Sequence, residues 1–421
     1  MSRSAAVATL AFLLAVPALA ATRMTYDIHG TPTPIEWSPT AFPLPYTIDQ
    51  RVVQADADAP AIIDRAFAAW AAVPDAQLSF QSRGTTSGSL TRTAGGVTIS
   101  LADDLFRDQG ALALTTYTFG DDGRYVDAAI QIDPSLFHGN WNAQMAIEHE
   151  VGHVLGLDHS GVLSAIMYPY VATGAGAPVL DSDDRIAIVT TYPKSDQVRD
   201  GATLEGRVVG DGGGIFGAQV VALNTHGEPV ATVLTDASGD FTIAGIPEGR
   251  YRLYAEPLDG PMLPDSLQGS WRQAKANAFP TKFFDGGAMD VQNGRVYGNL
   301  MLGAAGVSQL NPRWVGCTKP DANAISLSSA PVSVKPGDTF RLAVGGDGFT
   351  SGMTQFEVTN PAFRRTSDFS WQSNYMTATF TVDRDAEPGS AVILVSSGNE
   401  TATLTGALRI EGLTKARSVR H

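Results

Sequence analysis

The sequence predicts an α+β domain, built on a twisted mixed sheet with three helices, followed by two all-β sandwich domains. Three observations carry this. Apolar residues recur at helical spacing only within the first 194 residues, whereas from residue 202 onward short alternating strands are split by Gly and Asp turns. A chain of 421 residues is long enough for two to four domains with cores of their own. With 17% charged residues and 43 glycines, loop-rich, partly β structure is favoured over long helices or disorder.

Taken in order, residues 1–20 read as a secretory signal: Arg3 supplies the positive start, Ala5 to Val16 the apolar run, and Ala18-Leu19-Ala20 the cleavage site. That run is shorter than the roughly 20 residues a membrane span needs, and no other segment could cross a bilayer. The mature chain is expected to start at Ala21 and to be secreted, to the extracellular space or the periplasm. Residues 21–40, rich in Thr and Pro, read as an extended N-terminal extension. The first domain is placed at residues 41–194. Tyr46 to Asp49 resembles its first strand, and Asp58 is a candidate cap for a helix carrying Ile62, Ile63, Ala66, Phe67 and Trp70 on one face. Trp70 is expected in the core. Leu78 to Gln81 and Val97 to Leu101 alternate as strands. Ala113 to Phe119 and Asp127 to Asp133 flank the turn Gly120-Asp121-Asp122-Gly123 and form a hairpin. Asn140 or Asn142 caps a second helix ending near Leu155. A third follows Asp181-Ser182-Asp183-Asp184 and stops at Pro193.

Lys194 to Gly201 reads as a linker. Residues 202–302 then show strands at Thr203–Val209, Ala218–Asn224, Val230–Thr235, Asp240–Ile243 and Arg250–Ala255, with Val291–Leu302 as the last. Residues 305–413 repeat the all-β pattern around Val332–Gly337, Phe340–Val344 and Ala378–Val382. The tail from Thr414 is expected to fray.

A net charge of −14 argues against non-specific nucleic-acid binding. Cys317 is the single cysteine, so no intramolecular disulfide can form, and it reads as a buried small residue or a spare thiol.

The chemistry lies in residues 149–159, His149-Glu150-Val151-Gly152-His153-Val154-Leu155-Gly156-Leu157-Asp158-His159. Three of the chain's seven histidines fall in this window. Residues four apart on a helix sit about 40° apart and one turn along, so His149 and His153 can reach one ion. Gly156 lets the chain leave the helix in a tight, left-handed turn, and His159 swings back as third ligand. Three neutral histidines leave zinc an open fourth position for water, whose pKa falls from near 16 to about 7. Glu150 is placed to take the proton as general base and return it to the leaving amine. Those parts specify hydrolysis of an amide bond.

The extended motif, with Met167 eight residues after it, resembles the metzincin zinc peptidases. Ser160 and the run Ala165-Ile166-Met167-Tyr168-Pro169 resemble the matrixin branch in particular, across roughly residues 40 to 194. The resemblance implies a methionine turn at Met167 beneath the zinc. It implies a protein or peptide substrate held extended along an edge strand, about Ala111 to Thr115, and a pocket lined by Pro169 to Val171 for the residue after the cut. Three departures are visible. No cysteine precedes the motif to block the zinc, so latency would rest on residues 21–40 or another protein. Asp127-Ala128-Ala129-Ile130 lacks the histidines of a structural zinc site, leaving one catalytic zinc. The pocket segment reads Pro169-Tyr170-Val171 instead of Pro-x-Tyr, so substrate preference does not carry over. Calcium (Ca2+) has candidate ligands in Asp103, Asp104, Asp121, Asp122 and Asp127, with solvated turn aspartates the alternative.

Residues 202–302 resemble carboxypeptidase regulatory-like domains, on Gly206-Arg207-Val208-Val209, Thr235 to Phe241, Ile246 to Tyr251 and Thr281 to Asp285. Residues 305–413 are similar to IPT/TIG-type immunoglobulin-like modules, on Val334-Lys335-Pro336-Gly337 and Gly345 to Phe349. Neither carries a catalytic constellation, and both read as spacers or binders of a surface or matrix component. The contrasting reading is a non-catalytic adhesion or matrix-binding scaffold, against which the intact Glu150 speaks.

Overall fold

The computed structural model describes residues 22–86, 92–102, 111–171, 178–194, 201–275 and 278–412. The expected signal at 1–20, most of the linker, the tail from Thr414, and Asp103 and Asp104 lie outside the described residues.

The first domain holds strands β1 (Thr25–Ile28), β2 (Thr31–Pro34), β3 (Leu44–Asp49), β4 (Phe80–Thr86), β5 (Val97–Leu101), β6 (Ala113–Phe119) and β7 (Tyr125–Ile132). Its helices are α1 (Gln50–Ala55), α2 (Ala59–Ala71), α3 (Ala143–Val154) and α4 (Ser182–Thr191). The main sheet runs β4-β3-β5-β7-β6. The first four strands are mutually parallel, and β6 returns antiparallel to β7 through the 120–123 turn. The hairpin therefore leaves β6 at the sheet edge.

Where three helices were expected, four are described. The extra one, α1, is a six-residue helix directly after β3, capped by the Asp49 carboxylate accepting from the Arg51 amide. Too few residues recur there for periodicity to reveal it. Asp58, the expected cap of α2, makes no side-chain cap bond; Pro60 in the first turn lacks the amide a cap would satisfy. On α2, Ile63, Ala66, Phe67 and Trp70 point inward, and Trp70 is fully buried.

Residues 22–40 are also not the open extension expected of them. Met24, Ile35 and Trp37 are buried in the first core, β1 and β2 form a hairpin, and the Trp37 indole donates to the Val154 carbonyl at 2.8 Å. Thr/Pro-rich composition obscured a segment anchored by three apolar residues.

The second domain packs two sheets. One runs Pro229–Leu234, Gln219–Asn224, Gly249–Glu256 and Lys282–Phe283, and the other runs Asp240–Ile246, Ala202–Gly210 and Val296–Gly303. The third pairs a sheet of Asn311–Thr318, Thr339–Asp347, Tyr375–Val382 and Phe363–Arg365 with one of Val332–Val334, Glu400–Ile410, Gly389–Ser397 and Thr354–Val358. Cys317, expected to be buried or spare, is a free and exposed thiol.

The domains are in contact. Leu163 and Tyr168 of the first domain join an apolar cluster with Leu258, Met262 and Leu267 of the second and Val315, Phe340 and Leu404 of the third. Buried Glu256 accepts hydrogen bonds from Gln219 of its own domain and from Thr403 and Thr405 of the third, so its carboxyl oxygens are partnered where those two domains meet.

Candidate active site

Helix α3 presents the first two histidines. The Asn142 side chain accepts from the Met145 amide at 3.1 Å, which satisfies an N-terminal donor and fixes the start of the helix. Every residue from Met145 to Val154 is buried, so α3 runs through the interior between the sheet and α2. The Trp70 indole locks its rotation by donating to the Glu148 carbonyl at 2.9 Å. Gly152, between the two histidines, is a contact requirement. A Cβ there would lie 2.1 Å from Met167 Sδ, so only glycine lets the methionine sit against the helix under the histidines.

Gly156 has φ +89°, and a Cβ on it would meet the Ile35 carbonyl oxygen at 2.2 Å. This left-handed residue turns the chain back so that His159 faces α3. Its Nε2 lies 3.2 Å from His149 Nε2 and 3.3 Å from His153 Nε2. A tetrahedral zinc at about 2.0–2.1 Å from each nitrogen requires N···N separations of about 3.3 Å. The three side chains fit that ion, and they are the group of metal-type ligands that comes together among the described residues.

Each ring is held by its other nitrogen. His149 Nδ1 donates to the Ile166 carbonyl at 2.7 Å, His153 Nδ1 to the Leu157 carbonyl at 2.8 Å, and His159 Nδ1 to the Ser266 carbonyl. These acceptors fix the tautomer, leaving each Nε2 lone pair for a metal. Burial disfavours the imidazolium: it brings His149 down to about 3, with His159 adding to the effect, and lowers His153 and His159 as well.

Glu150 is buried beside the first ligand and faces β6, where the Thr115 hydroxyl lies 2.7 Å from its Oε2 and 3.0 Å from its carbonyl. Burial pushes the Glu150 carboxyl up to about 7, and the Thr115 hydrogen bonds oppose that rise. The Met167 turn is held by Asp184, whose carboxylate accepts from the Ile166 and Met167 amides at 2.8 and 3.1 Å. Asp184 also accepts from the Asp181 amide as part of the capping box that starts α4. Ser160 donates to Asp183 at 2.6 Å, which ties the residue after the third ligand to the same helix.

Sequence reasoning named His149, His153, His159, Glu150 and Met167; the structure brings the three histidine ligand atoms together, sets Met167 against Gly152 between the first two, and buries Glu150 next to His149 on α3. It missed Thr115, Asp183, Asp184, Asp158 and Ser266, which act on the site through other residues. A capping box after the methionine run was the one signal for Asp184; a backbone carbonyl such as that of Ser266 leaves no signal. Of the calcium candidates, Asp127 pairs instead with Arg92 and Thr118, and Asp122 accepts from the Arg124 amide in its own turn. Tyr170, in the expected pocket segment, is half exposed, while its ring neighbour Tyr168 is buried.

Residues 36–193 match the family model described as matrixin, and residues 203–259 match that of the carboxypeptidase regulatory-like domain. Over 44 residues the chain is 52% identical to karilysin of Tannerella forsythia, a stretch covering 10% of this chain and 9% of karilysin. The chain thus matches only about a tenth of the length of that curated relative. Among solved structures, the major pilin subunit BcpA of Bacillus cereus is 10% identical, covering 48% of this chain and 66% of that one, at a TM-score of 0.16. Fervidolysin of Fervidobacterium pennivorans is 11% identical, covering 55% of this chain and 33% of that one, at a TM-score of 0.17.

Proposed function

From a matrixin domain followed by a carboxypeptidase regulatory-like domain, we propose that the chain is a zinc-dependent endopeptidase acting on extended protein or peptide substrates. The observation that carries this is the convergence of three histidine ligand atoms, with His159 Nε2 3.2 Å from that of His149 and 3.3 Å from that of His153, on the helix that carries the buried Glu150 carboxylate. His149, His153 and His159 hold the ion, and a bound zinc supplies Lewis acidity to water and to the scissile carbonyl.

The chain's own residues do the rest. The Glu150 carboxylate takes the proton of the attacking water and delivers it to the leaving amine nitrogen, so the bond cleaved is an amide and the proton balance closes. Thr115 fixes the Glu150 carboxylate by a hydrogen bond and favours its charged form. Main-chain groups on the outer side of β6, the edge strand among the described residues, hold the substrate by strand addition, and the segment 169–171 lines the pocket for the residue after the cut. Met167 and Asp184 fix the floor of the site. The chain is exported by its first 20 residues, and among the described residues no helix is long and apolar enough to cross a membrane.

Assay of the purified chain on a denatured protein substrate, with and without a chelator and alongside Glu150→Ala, tests the reading. Loss of activity by a factor of about 10²–10⁴ in Glu150→Ala is expected, as is loss on chelation with recovery on adding zinc. Activity that survives the chelator sinks the zinc mechanism. A zinc-loaded wild type with no activity favours the scaffold.

A further inference from the structure

The third histidine is oriented from outside its own domain. Its Nδ1 donates to the carbonyl of Ser266, which sits in a 3-10 turn, Pro264–Ser266, of the second domain, whereas the acceptors for His149 and His153 come from the first domain. The contact is part of a built arrangement. The amide of Gln268 donates to both Asp158 carboxylate oxygens, at 3.2 and 3.0 Å, and Asp158 in turn accepts from the amide of His159 at 2.8 Å. Asp158 is buried.

Two further features hold the segment there. Leu267 is buried in the interdomain cluster, and the Trp271 indole donates to the Arg23 carbonyl at 2.9 Å. Gly269, at φ +54°, leaves room for the Thr25 carbonyl where a Cβ would approach to 2.1 Å. These contacts fasten the segment immediately after Ser266, whose carbonyl faces the metal ligand.

We propose that the 264–273 segment of the second domain is a positioning element of the metal site, orienting the His159 ring through the Ser266 carbonyl and its backbone through the Gln268–Asp158 contact. The sandwich is then more than a spacer: the site reaches its full zinc affinity only with this segment in place. The inference rests on the zinc-peptidase reading above.

Gln268→Pro in the full chain removes the amide donor to Asp158. Leu267, at φ −86° and ψ 167°, has the extended backbone that a residue before proline adopts. Gln268, at φ −112°, must shift toward the proline value and also loses its side-chain bond from the Tyr117 hydroxyl, so Trp271→Ala is read beside it as an independent variant. Loss of such an outer contact is expected to weaken zinc binding by about 10–100-fold, read by competition with a chromophoric chelator. Trp271→Ala loosens the segment farther from the ion and should weaken zinc in the same direction, with Trp271→Phe recovering part of the loss. The visible spectrum of the cobalt-substituted protein should shift in the first two variants, and zinc-free unfolding supplies the control for a fold defect. Zinc affinity and cobalt spectrum matching the parent, within twofold, in both Gln268→Pro and Trp271→Ala overturn the proposal. A parent chain that binds no zinc fails the functional reading itself, a separate outcome.

Discussion

At the scale of single residues, helix α3 carries one missing side chain and one half-satisfied carboxyl group. Gly152→Ala puts a methyl group against Met167 Sδ and the Trp70 ring. Overpacking of this kind costs about 1–3 kcal/mol. Because Gly152 lies on α3 between the two helical histidines, zinc affinity is expected to fall along with stability, which melting with and without zinc checks. Glu148 is the second case. It is buried, accepts one hydrogen bond from Gln144 at 2.8 Å, and its other oxygen has no protein partner. Burial raises its carboxyl to about 7, with Gln144 and Arg409 opposing. The folded chain therefore keeps a proton that the unfolded chain loses near its ordinary pKa of 4.5. Stability from this group is complete below about 4.5 and is lost as pH rises through about 7, by about 3 kcal/mol. Glu148→Gln should flatten that fall in chemical denaturation between pH 5 and 8; an unchanged slope would place the dependence elsewhere.

At the scale of elements, the ligand set was legible because ligand spacing and helical geometry are the same fact. His149 and His153 are one turn apart in any α-helix, and Gly156 announces the turn that returns His159. What could not be read is which strand faces Glu150. Thr115 is an ordinary strand threonine in the sequence, and only the pairing of β6 at the edge beside β7 brings it to the base. Helix α1 and the β1–β2 hairpin were invisible for a related reason: each is short, and each is stabilised by contacts distant in sequence. Thr115→Val tests what β6 contributes. Without the hydroxyl, one interaction that lowers the Glu150 pKa is lost, so the carboxyl rises further. The acid limb of the kcat/KM profile is expected to move to higher pH, with kcat/KM at neutral pH falling about tenfold or more. An unmoved limb would mean that Thr115 only packs.

At the scale of the whole molecule, the alternation of strands predicted two sandwiches but not how they dock, because docking here uses backbone groups and buried polar side chains that no periodicity marks. Asp183 shows the pattern. One of its oxygens accepts from Ser160, next to the third ligand, and the other from the amide and hydroxyl of Thr232 in the second domain, at 2.7 and 3.0 Å. In the same region the Leu163 amide donates to the Thr405 carbonyl at 2.8 Å, and the Tyr168 hydroxyl donates to the Ser329 carbonyl at 2.8 Å, both in the third domain. The loop between the third ligand and the methionine turn is thus bonded directly to the third domain and, through Asp183, to the second. Domains joined only by linkers unfold separately, whereas domains that share a buried cluster and polar bridges lose them together. The full chain is therefore expected to unfold in one calorimetric transition that zinc shifts upward as a whole. Asp183→Ala leaves the Thr232 amide buried without its acceptor, a cost of about 1–3 kcal/mol, and should lower that transition and weaken zinc together. Two well-separated transitions in the parent, with zinc moving only one, would show that the sandwiches fold independently of the site.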